Sequence, residues 1–345
     1  MDFDYPASHH PAAPRPSSFL ASLTDSPRPP APSGVPSVIS DTYDLFLNPV
    51  VPITFGIVYF IVAKTLSHFQ DGKNRIRGKG WDAVVLLHNI ILAGYSIWTF
   101  LGTAPHVFSE FWRGFAENGV AGLTHAFCDS DLSVWSSTFS KYSYLFYLSK
   151  YWEVLDTAIL LLKGKKVGML QSYHHMGAIW TMYAAYVTQA MPVWIFCVAN
   201  SLVHSVMYSY YACTAVSIPF PKFLKKSITR MQITQFLVGG SLAASYLFIK
   251  VPALPTGADA AAAAEKARAH FSSASSTFEA GVNAFRQDPA MCLRNAGQIN
   301  AVRLNVAYLI PLTYLFLAFF VRTYRKNGAA SAAAAKAKSE AKKAL

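Results

Sequence analysis

The sequence predicts an all-α polytopic membrane protein with seven transmembrane helices. Of its 345 residues, 53% are hydrophobic and only 14% are charged, whereas globular proteins carry about 25% charged residues. The apolar residues form repeated runs close to the ~20 residues that a helix needs to cross a bilayer. The net charge is +12, but the basic residues occur in short clusters between apolar runs. This pattern is typical of loops at a membrane surface and not of a nucleic-acid-binding groove.

Seven apolar segments account for the predicted helices. Their approximate ranges are 47–66, 82–101, 142–162, 168–188, 192–213, 231–249 and 301–321. Together they form a predicted helical domain over 45–325. Around it we expect a disordered Pro/Ser/Ala-rich tail over 1–44, a low-complexity lumenal insertion over 252–290 and an Ala/Lys-rich cytosolic tail over 326–345.

The orientation of the predicted spans follows from the positions of Lys and Arg. These residues concentrate in the loops after spans one, three and five and in the C-terminal tail, which places the C-terminus in the cytosol and the N-terminus in the lumen. Lys342 and Lys343, near the C-terminus, resemble a dilysine retrieval signal of endoplasmic-reticulum membrane proteins. Cys128 and Cys292 both fall in predicted lumenal loops. We expect them to form a disulfide on this oxidising side, with two unpaired thiols as the alternative.

Four of the predicted spans carry polar or titratable side chains, which are expensive at membrane depth and therefore indicate a functional site. Spans three to six contribute, in order, Lys150, Glu153, Asp156 and Thr157; Gln171, His174 and His175; Asn200, His204, Tyr208 and Tyr211; and Gln232 and Gln235. With the orientation given above, all four groups lie between the middle of the membrane and its cytosolic side. We expect them to converge on one site that opens to the cytosol, although salt bridges and histidines that only fix helix packing are the alternative.

The expected site suits a substrate with a polar head and a long apolar tail, such as a fatty acyl thioester. Imidazole acts as a nucleophile or a general base near neutral pH, and amides, tyrosine hydroxyls and Lys150 can stabilise an oxyanion. His174 and His175 point about 100° apart on a helix, so they have different roles. Cys197 is a rival nucleophile on the same face as Asn200 and His204, but a small packing residue is the more common use of cysteine there.

Four motifs carry a family resemblance: KYWEVLDT (150–157), QSYHHMGA (171–178), NSLVHSVMYSYY (200–211) and TRMQITQF (229–236). In this order they resemble the ELO family of very-long-chain fatty acid elongases, over roughly 45–325. The resemblance implies a bundle or barrel around an acyl-chain tunnel that opens to the cytosol. It also implies condensation of acyl-CoA with malonyl-CoA to 3-ketoacyl-CoA, CO2 and CoA. Gln171 gives QxxHH in place of the usual HxxHH, a variant found in microbial and algal members.

The resemblance also implies residue roles. His174 would form an acyl-imidazole intermediate, and His204 would act as base or decarboxylation partner. The remaining motif residues would position these groups and the thioester head, or line the tunnel: His175, Lys150, Glu153, Asp156, Thr157, Gln171, Asn200, Tyr208, Tyr211, Gln232 and Gln235. The substrates are acyl-CoA and malonyl-CoA, with no metal or other cofactor. Expected partners are the lipid bilayer, the ketoreductase, dehydratase and enoyl reductase of the cycle, and a second copy of the chain. Acyl chain length and unsaturation stay open.

Two other classes remain as alternatives. A membrane di-iron desaturase or hydroxylase also has HxxHH boxes, but it needs about eight histidines to hold two irons with imidazole ligands. This chain has 10 histidines, of which only His174, His175 and His204 are expected in the converging region. A seven-helix transporter or receptor leaves the shared depth of the four motifs unexplained.

Overall fold

The fold is given by a computed structural model, which describes residues 18–24, 29–73, 75–130, 133–135, 137–219, 221–252 and 291–343, with side chains up to Tyr324. Within these ranges the regular structure is helical, apart from one isolated antiparallel bridge between Lys250 and Met291. The helices are α1 (Phe19–Thr24), α2 (Ser37–Ser40), α3 (Tyr43–Leu47), α4 (Val50–Phe69), α5 (Lys79–Phe127), α6 (Ser137–Glu153), α7 (Leu155–Leu162), α8 (Met169–Val187), α9 (Val193–Ala215), α10 (Lys222–Ser245) and α11 (Ala296–Lys343). Most of the predicted insertion over 252–290, and the side chains of Lys342 and Lys343, lie outside the described residues.

Among the described residues, three helical segments are long and apolar enough to cross a membrane: α4, α5 and the part of α11 over Ala296–Tyr324. Helices also occupy the other four predicted positions, but they fall short of that length or apolarity. Span three is divided between α6 and α7, while α8, α9 and α10 carry polar groups. The described part of the chain is therefore an all-α protein of membrane type. Length and composition alone identify three of its predicted spans.

Prolines mark the start of several of these helices. Pro49, Pro192 and Pro221 directly precede α4, α9 and α10. The first turn of a helix has no internal acceptor for its N–H groups, so a residue without an N–H is tolerated there. Gly164 turns the chain between α7 and α8 with a φ of 73°, a conformation that glycine adopts without a steric penalty.

Six helices of the described part contact one another in a closed order. Starting from α5, the neighbours are α9, α10, α11, α8 and α6, and α6 returns to α5. The most extensive contact joins α5 to α9. Helix α4 is attached to this ring through α8 and α7. The motif-bearing helices form two neighbouring pairs in this ring, α6 with α8 and α9 with α10, which are separated by α5 on one side and α11 on the other.

The structure extends α5 well beyond the predicted span 82–101. The helix continues to Phe127 and bends sharply at Asn118 and Gly119, where Gly119 has a φ of 57°. After this bend the chain folds back, since a Cβ added to Gly122 would lie only 2.0 Å from the carbonyl oxygen of Gly114. A side chain at position 122 would therefore prevent this close approach of backbone to backbone.

The structure describes part of the N-terminal segment over 1–44, for which the sequence predicts a disordered tail. Its described residues include α1 and α2, and Tyr43 at the start of α3 is buried. The hydroxyl of Tyr43 donates a hydrogen bond to the carbonyl oxygen of Pro29, at 2.7 Å. The side chain of Tyr43 thus connects the described residues around Pro29 to the start of α3.

The predicted pairing of Cys128 with Cys292 is confirmed by a disulfide between them. The bond joins the end of α5 to the segment before α11. The same region is held by Arg294, whose Nη2 donates to the carbonyl oxygen of Asp129 at 3.1 Å. The two carboxylate oxygens of Asp129 in turn accept the backbone N–H groups of Val134 and Trp135.

Candidate active site

Lys150 and Glu153 form a buried ion pair near the end of α6. The Nζ of Lys150 donates to Oε1 of Glu153 at 2.6 Å and to Oδ1 of Asn200 on α9 at 3.1 Å. It also lies 3.8 Å from the ring centroid of Phe146. Both charged side chains are about 3% exposed. A buried cation persists only when it is paired and hydrogen-bonded, and these contacts meet that requirement.

His204 of α9 lies beside the same carboxylate. Its Nδ1 is 3.8 Å from Oε1 of Glu153, and the histidine is buried. The other carboxylate oxygen, Oε2 of Glu153, is buried and has no hydrogen-bond partner among the described residues. A buried, unpaired acceptor is costly, so this oxygen is available to a proton, a water molecule or a polar part of a substrate.

Asp156 connects three helices a turn further along. One carboxylate oxygen is 2.7 Å from Nε2 of His88 on α5, and the other accepts a hydrogen bond from the Tyr208 hydroxyl on α9, also at 2.7 Å. The expectation that only three histidines lie in the converging region is therefore wrong, because His88 joins it. At the junction between α6 and α7, the N–H of Thr157 donates to the carbonyl oxygen of Val154 at 3.0 Å, which makes a tight turn within the Lys150–Thr157 segment.

His175 is held from one side by the glutamine of the QxxHH motif. The amide Nε2 of Gln171 donates to Nε2 of His175 at 2.8 Å and lies 3.5 Å from Oγ1 of Thr157. The Tyr59 hydroxyl of α4 bonds to the same Thr157 oxygen at 2.8 Å. Because Nε2 of His175 accepts, the proton of the neutral imidazole is on Nδ1. This histidine is buried and engaged by neighbours, as expected for a supporting residue.

His174 faces a different set of neighbours and is only half-buried. Its Nδ1 lies 2.9 Å from the hydroxyl of Tyr308 on α11. The same hydroxyl donates to the backbone carbonyl of His174, also at 2.9 Å. The rings of Phe236 and Phe316 have centroids 6.4 Å from the imidazole. The more exposed histidine of the pair thus sits in an apolar, aromatic wall.

The remaining predicted residues lie at the edge of this site. Gln232 on α10 donates to Sδ of Met207 at 3.3 Å, and Gln235 is buried one turn later. Tyr211 is 41% exposed, with its ring 6.1 Å from that of Tyr208. Cys197, the rival nucleophile, is a free thiol that is fully buried. The structure therefore brings together the motifs of α6, α7, α8 and α9, and Gln232 of α10 reaches them through Met207.

Three residues of the site were not predicted from the sequence: Tyr59, His88 and Tyr308, on α4, α5 and α11. None of them belongs to one of the four motifs. For His88 a signal existed, since an isolated titratable residue at membrane depth is itself a functional hypothesis. A single tyrosine in a membrane helix gives no comparable signal, because tyrosine is also a common packing residue.

A small apolar cavity of about 10 Å³ lies further along the same helices. Its lining includes Met182, Ala185, Phe196, Ala243, Val302 and Asn305. Met182 is eight residues after His174, which corresponds to about 12 Å along α8. The described residues contain no group of three or more His, Cys, Asp or Glu side chains placed to hold a metal ion. The side chains of the site thus provide imidazoles, carboxylates and one ammonium group. The small apolar cavity lies further along α8.

Taken together, these features define an all-α membrane protein with a buried site of histidines, carboxylates and a lysine. The family described as ELO: GNS1/SUR4 matches residues 44–332. The chain belongs to this family.

Several curated relatives are similar to the chain. It is 31% identical over 201 residues to "Fatty acid elongase sre1" of Dictyostelium discoideum, covering 58% of this chain and 70% of that protein. It is 31% identical over 188 residues to "Very long chain fatty acid elongase 6" of Drosophila melanogaster, covering 53% and 54%. It is 32% identical over 197 residues to "Fatty acid elongase A" of Dictyostelium discoideum, covering 56% and 66%. The matched segments thus span between 54% and 70% of these relatives. The family and the relatives support fatty acid elongation as the activity of the chain.

Proposed function

We propose that the protein is the condensing enzyme of a fatty acid elongation cycle. It joins a long-chain acyl-CoA to malonyl-CoA and releases 3-ketoacyl-CoA, CO2 and CoA. Family membership supports elongation. The observation that carries the condensing role is the half-buried imidazole of His174 on α8, with the buried Lys150–Glu153–His204 cluster on the neighbouring helices α6 and α9. A nucleophile close to such acid–base groups is suited to acyl transfer from a thioester.

The acyl chain would lie in a tunnel inside the helical ring. We propose that all seven predicted helices cross the bilayer, with the histidines at the cytosolic opening. The thioester would sit at His174, and the chain would run along α8 towards Met182 and Ala185, which line the cavity. The substrate would keep its polar CoA in water and its alkyl chain away from water, which favours binding by the hydrophobic effect.

In the proposed mechanism His174 attacks the thioester carbonyl and forms an acyl-imidazole. Malonyl-CoA then loses CO2, and its methylene carbon attacks the acyl group. Covalent catalysis of this kind divides one difficult step into two easier ones. His204 acts beside Glu153 in the decarboxylation, and Lys150 supplies positive charge for developing oxyanions. Groups that are already oriented for the charge of the transition state stabilise it without reorganisation.

The decisive test uses purified protein in detergent or nanodiscs with acyl-CoA and radiolabelled malonyl-CoA. We expect 3-ketoacyl-CoA from the parent protein and a loss of at least about 100-fold in His174→Ala, the lower range for a positioned catalytic group. Cys197→Ser is the matched control and should keep the activity. An active, folded His174→Ala variant would end the histidine mechanism. Two irons per chain in metal analysis would favour the desaturase alternative.

Location and partners follow from the same proposal. We place the protein in the endoplasmic-reticulum membrane with a lumenal N-terminus and a cytosolic C-terminus that carries Lys342 and Lys343. The ketoreductase, dehydratase and enoyl reductase of the cycle would act next on its product. We also propose that two copies of the chain form a homodimer. The acyl substrate is saturated, monounsaturated or polyunsaturated. Expression in an elongase-deficient host fed a panel of fatty acids would identify its length and unsaturation.

A further inference from the structure

Tyr308 contacts the proposed nucleophile although it lies outside all four sequence motifs. It is on α11 and is buried, with 8% of its surface exposed. Its hydroxyl donates to the backbone carbonyl oxygen of His174 at 2.9 Å. The same hydroxyl oxygen is 2.9 Å from Nδ1 of His174. One side chain therefore holds both the backbone and the ring of this histidine.

The two contacts together determine which nitrogen of the His174 imidazole carries the proton. A tyrosine hydroxyl has one proton, and a carbonyl oxygen can only accept. Both contacts are hydrogen bonds at the same time only if the Tyr308 proton goes to the carbonyl oxygen of His174 and Nδ1 of the imidazole is the donor in the other. The neutral imidazole then carries its proton on Nδ1, and Nε2 keeps an unshared electron pair.

We propose that Tyr308 is a positioning residue that holds His174 in its Nδ1–H tautomer and so selects Nε2 as the nitrogen that accepts the acyl group. This inference rests on the proposed acyl transfer to His174. In the opposite tautomer Nε2 would carry the proton and could not attack a carbonyl carbon. The hydrogen bond on the second nitrogen of a histidine is the usual device by which proteins choose between the two.

The hydrogen bond between Nδ1 of His174 and the Tyr308 oxygen also acts after Nε2 has attacked the thioester. When Nε2 bonds to the acyl carbon, the carbon–sulfur bond breaks and its electron pair leaves with the CoA thiolate. The ring retains the Nδ1 proton and becomes an acylimidazolium cation. Its Nδ1–H is now a charged donor to the Tyr308 oxygen, and charge-assisted hydrogen bonds are roughly twice as strong as neutral ones.

The second half-reaction restores the starting state. The carbon nucleophile formed when malonyl-CoA loses CO2 attacks the acyl carbon, and the carbon–nitrogen electron pair returns to Nε2. The Nδ1 proton stays in place through the whole cycle, and the released thiolate takes a proton from water. Tyr308 therefore needs neither to gain nor to lose a proton, which fits a tyrosine buried in an apolar wall.

The packing of α8 against α11 leaves a defined space for the Tyr308 ring. Gly177 of α8 leaves the space for its ring, because a Cβ at that position would lie 2.1 Å from Cε2 of Tyr308. The Tyr173 ring packs beside it with the centroids 5.5 Å apart, and its hydroxyl donates to the Tyr308 backbone carbonyl at 3.3 Å. Tyr173 is thus a neighbouring tyrosine whose hydroxyl bonds to backbone and not to the imidazole.

The kinetic test compares Tyr308→Phe with Tyr173→Phe, because each removes one hydroxyl from the same helix contact. Labelled acyl-CoA is added without malonyl-CoA, and covalent acyl-enzyme is measured by rapid quenching and intact mass, with His174→Ala as the blank. In Tyr308→Phe we expect acylation and kcat to fall by about 10- to 100-fold, the effect of losing a hydrogen bond to a charged group. The KM for acyl-CoA should change by less than about 2-fold, because the bond acts on the transition state. Tyr173→Phe should keep the parental rates.

A spectroscopic test determines the tautomer of His174 in the unmodified protein, and variants serve only to identify the signals and for comparison. In protein labelled with ¹⁵N-histidine, the His174 signals are identified by their loss in His174→Ala. We expect a protonated Nδ1 and an unprotonated Nε2 in the parent, and a shift towards a mixture of both tautomers in Tyr308→Phe. A parent protein with the proton on Nε2 would overturn the inference.

The failures of the two proposals are distinguishable. Parental acyl-enzyme formed at an unchanged rate in Tyr308→Phe overturns the role of Tyr308 and leaves the acyl-imidazole mechanism intact. No acyl-enzyme in the parent, together with full condensation by His174→Ala, overturns both. If the acylation rate of Tyr173→Phe falls as far as that of Tyr308→Phe, packing between the helices matters and the hydrogen bond to the imidazole does not. That outcome overturns the inference as well.

Discussion

Lys150 and Glu153 are the residues whose burial is most costly in the site. Both lie inside the helical ring, and each is stabilised by the other at 2.6 Å. Asn200 and the face of Phe146 provide the remaining contacts of the ammonium group. Replacing a buried pair by neutral groups is often nearly neutral for stability, whereas removing one partner leaves an uncompensated charge. The pair therefore allows stability and catalysis to be separated experimentally.

We predict that Lys150→Met lowers the free energy of unfolding by about 3–5 kcal/mol, because the Glu153 carboxylate is left buried without its cation. The double variant Lys150→Met/Glu153→Gln should recover most of that loss. It should not recover condensation, since the positive charge at the site is still missing. Thermal unfolding in detergent and the condensation assay measure the two quantities. Equal unfolding temperatures for the single and double variants would contradict this account of the pair.

At the residue scale, the motif residues could be predicted because polar groups at helical spacing stand out in apolar segments. The partners of these groups could not. Tyr308 matters only because α11 faces α8 at the height of His174, and Tyr59 only because α4 lies against Thr157. Such pairings depend on the register between helices, which the sequence of one helix does not contain. His88 was visible as a titratable residue but had no predicted partner.

The contact between α8 and α11 is the element that determines the position of the imidazole. Gly177 on α8 faces Tyr308, and Gly240 on α10 faces Leu309, the next residue of α11. A Cβ at Gly177 would lie 2.1 Å from a rigid aromatic ring, whereas one at Gly240 would lie 3.3 Å from the flexible end of a leucine. A methyl group at position 177 would therefore meet a rigid ring, whereas one at position 240 would meet a side chain that can move aside.

We predict that Gly177→Ala lowers condensation by more than about 10-fold, because the displaced Tyr308 ring breaks a hydrogen bond to the imidazole. The overpacking should also cost about 1–3 kcal/mol of stability. Gly240→Ala is the matched control, with activity close to that of the parent. Both variants are compared in the condensation assay and in thermal unfolding. Parental activity in a folded Gly177→Ala variant would show that the close approach of α8 to Tyr308 is not needed.

The helix boundaries were predictable where apolarity changes abruptly and not elsewhere. The predicted second span ends near 101 because the apolar run ends there, but α5 continues to Phe127 through a segment that mixes aromatic, charged and small residues. The end of an apolar run marks where contact with lipid ends, whereas a helix ends where its backbone hydrogen bonds end. For the same reason the division of span three at Val154 was not visible in the sequence, since only backbone bonding marks it.

At the scale of the whole molecule, the end of the ring remote from His174 is fastened by several independent contacts. The disulfide links the end of α5 to the start of the α11 region across 164 residues of sequence. Beside it, the Tyr246 hydroxyl of the α10 end donates to the carbonyl oxygen of Phe127, and Nε1 of Trp194 donates to Tyr246. Since these hydrogen bonds remain without the disulfide, the chain should still fold when the cysteines are replaced.

We predict that Cys128→Ser/Cys292→Ser lowers the free energy of unfolding by about 2–5 kcal/mol, as expected for a bond that restricts a long loop in the unfolded chain. A reductant should lower the unfolding temperature of the parent to that of the double variant and should leave the double variant unchanged. Cys197→Ser, which removes a free cysteine, should keep the parental response to reductant. Condensation well below the unfolding temperature should be close to parental in both variants, because the disulfide does not contact the histidines. Loss of condensation in a folded double variant would show instead that this end of the ring and the active site are coupled.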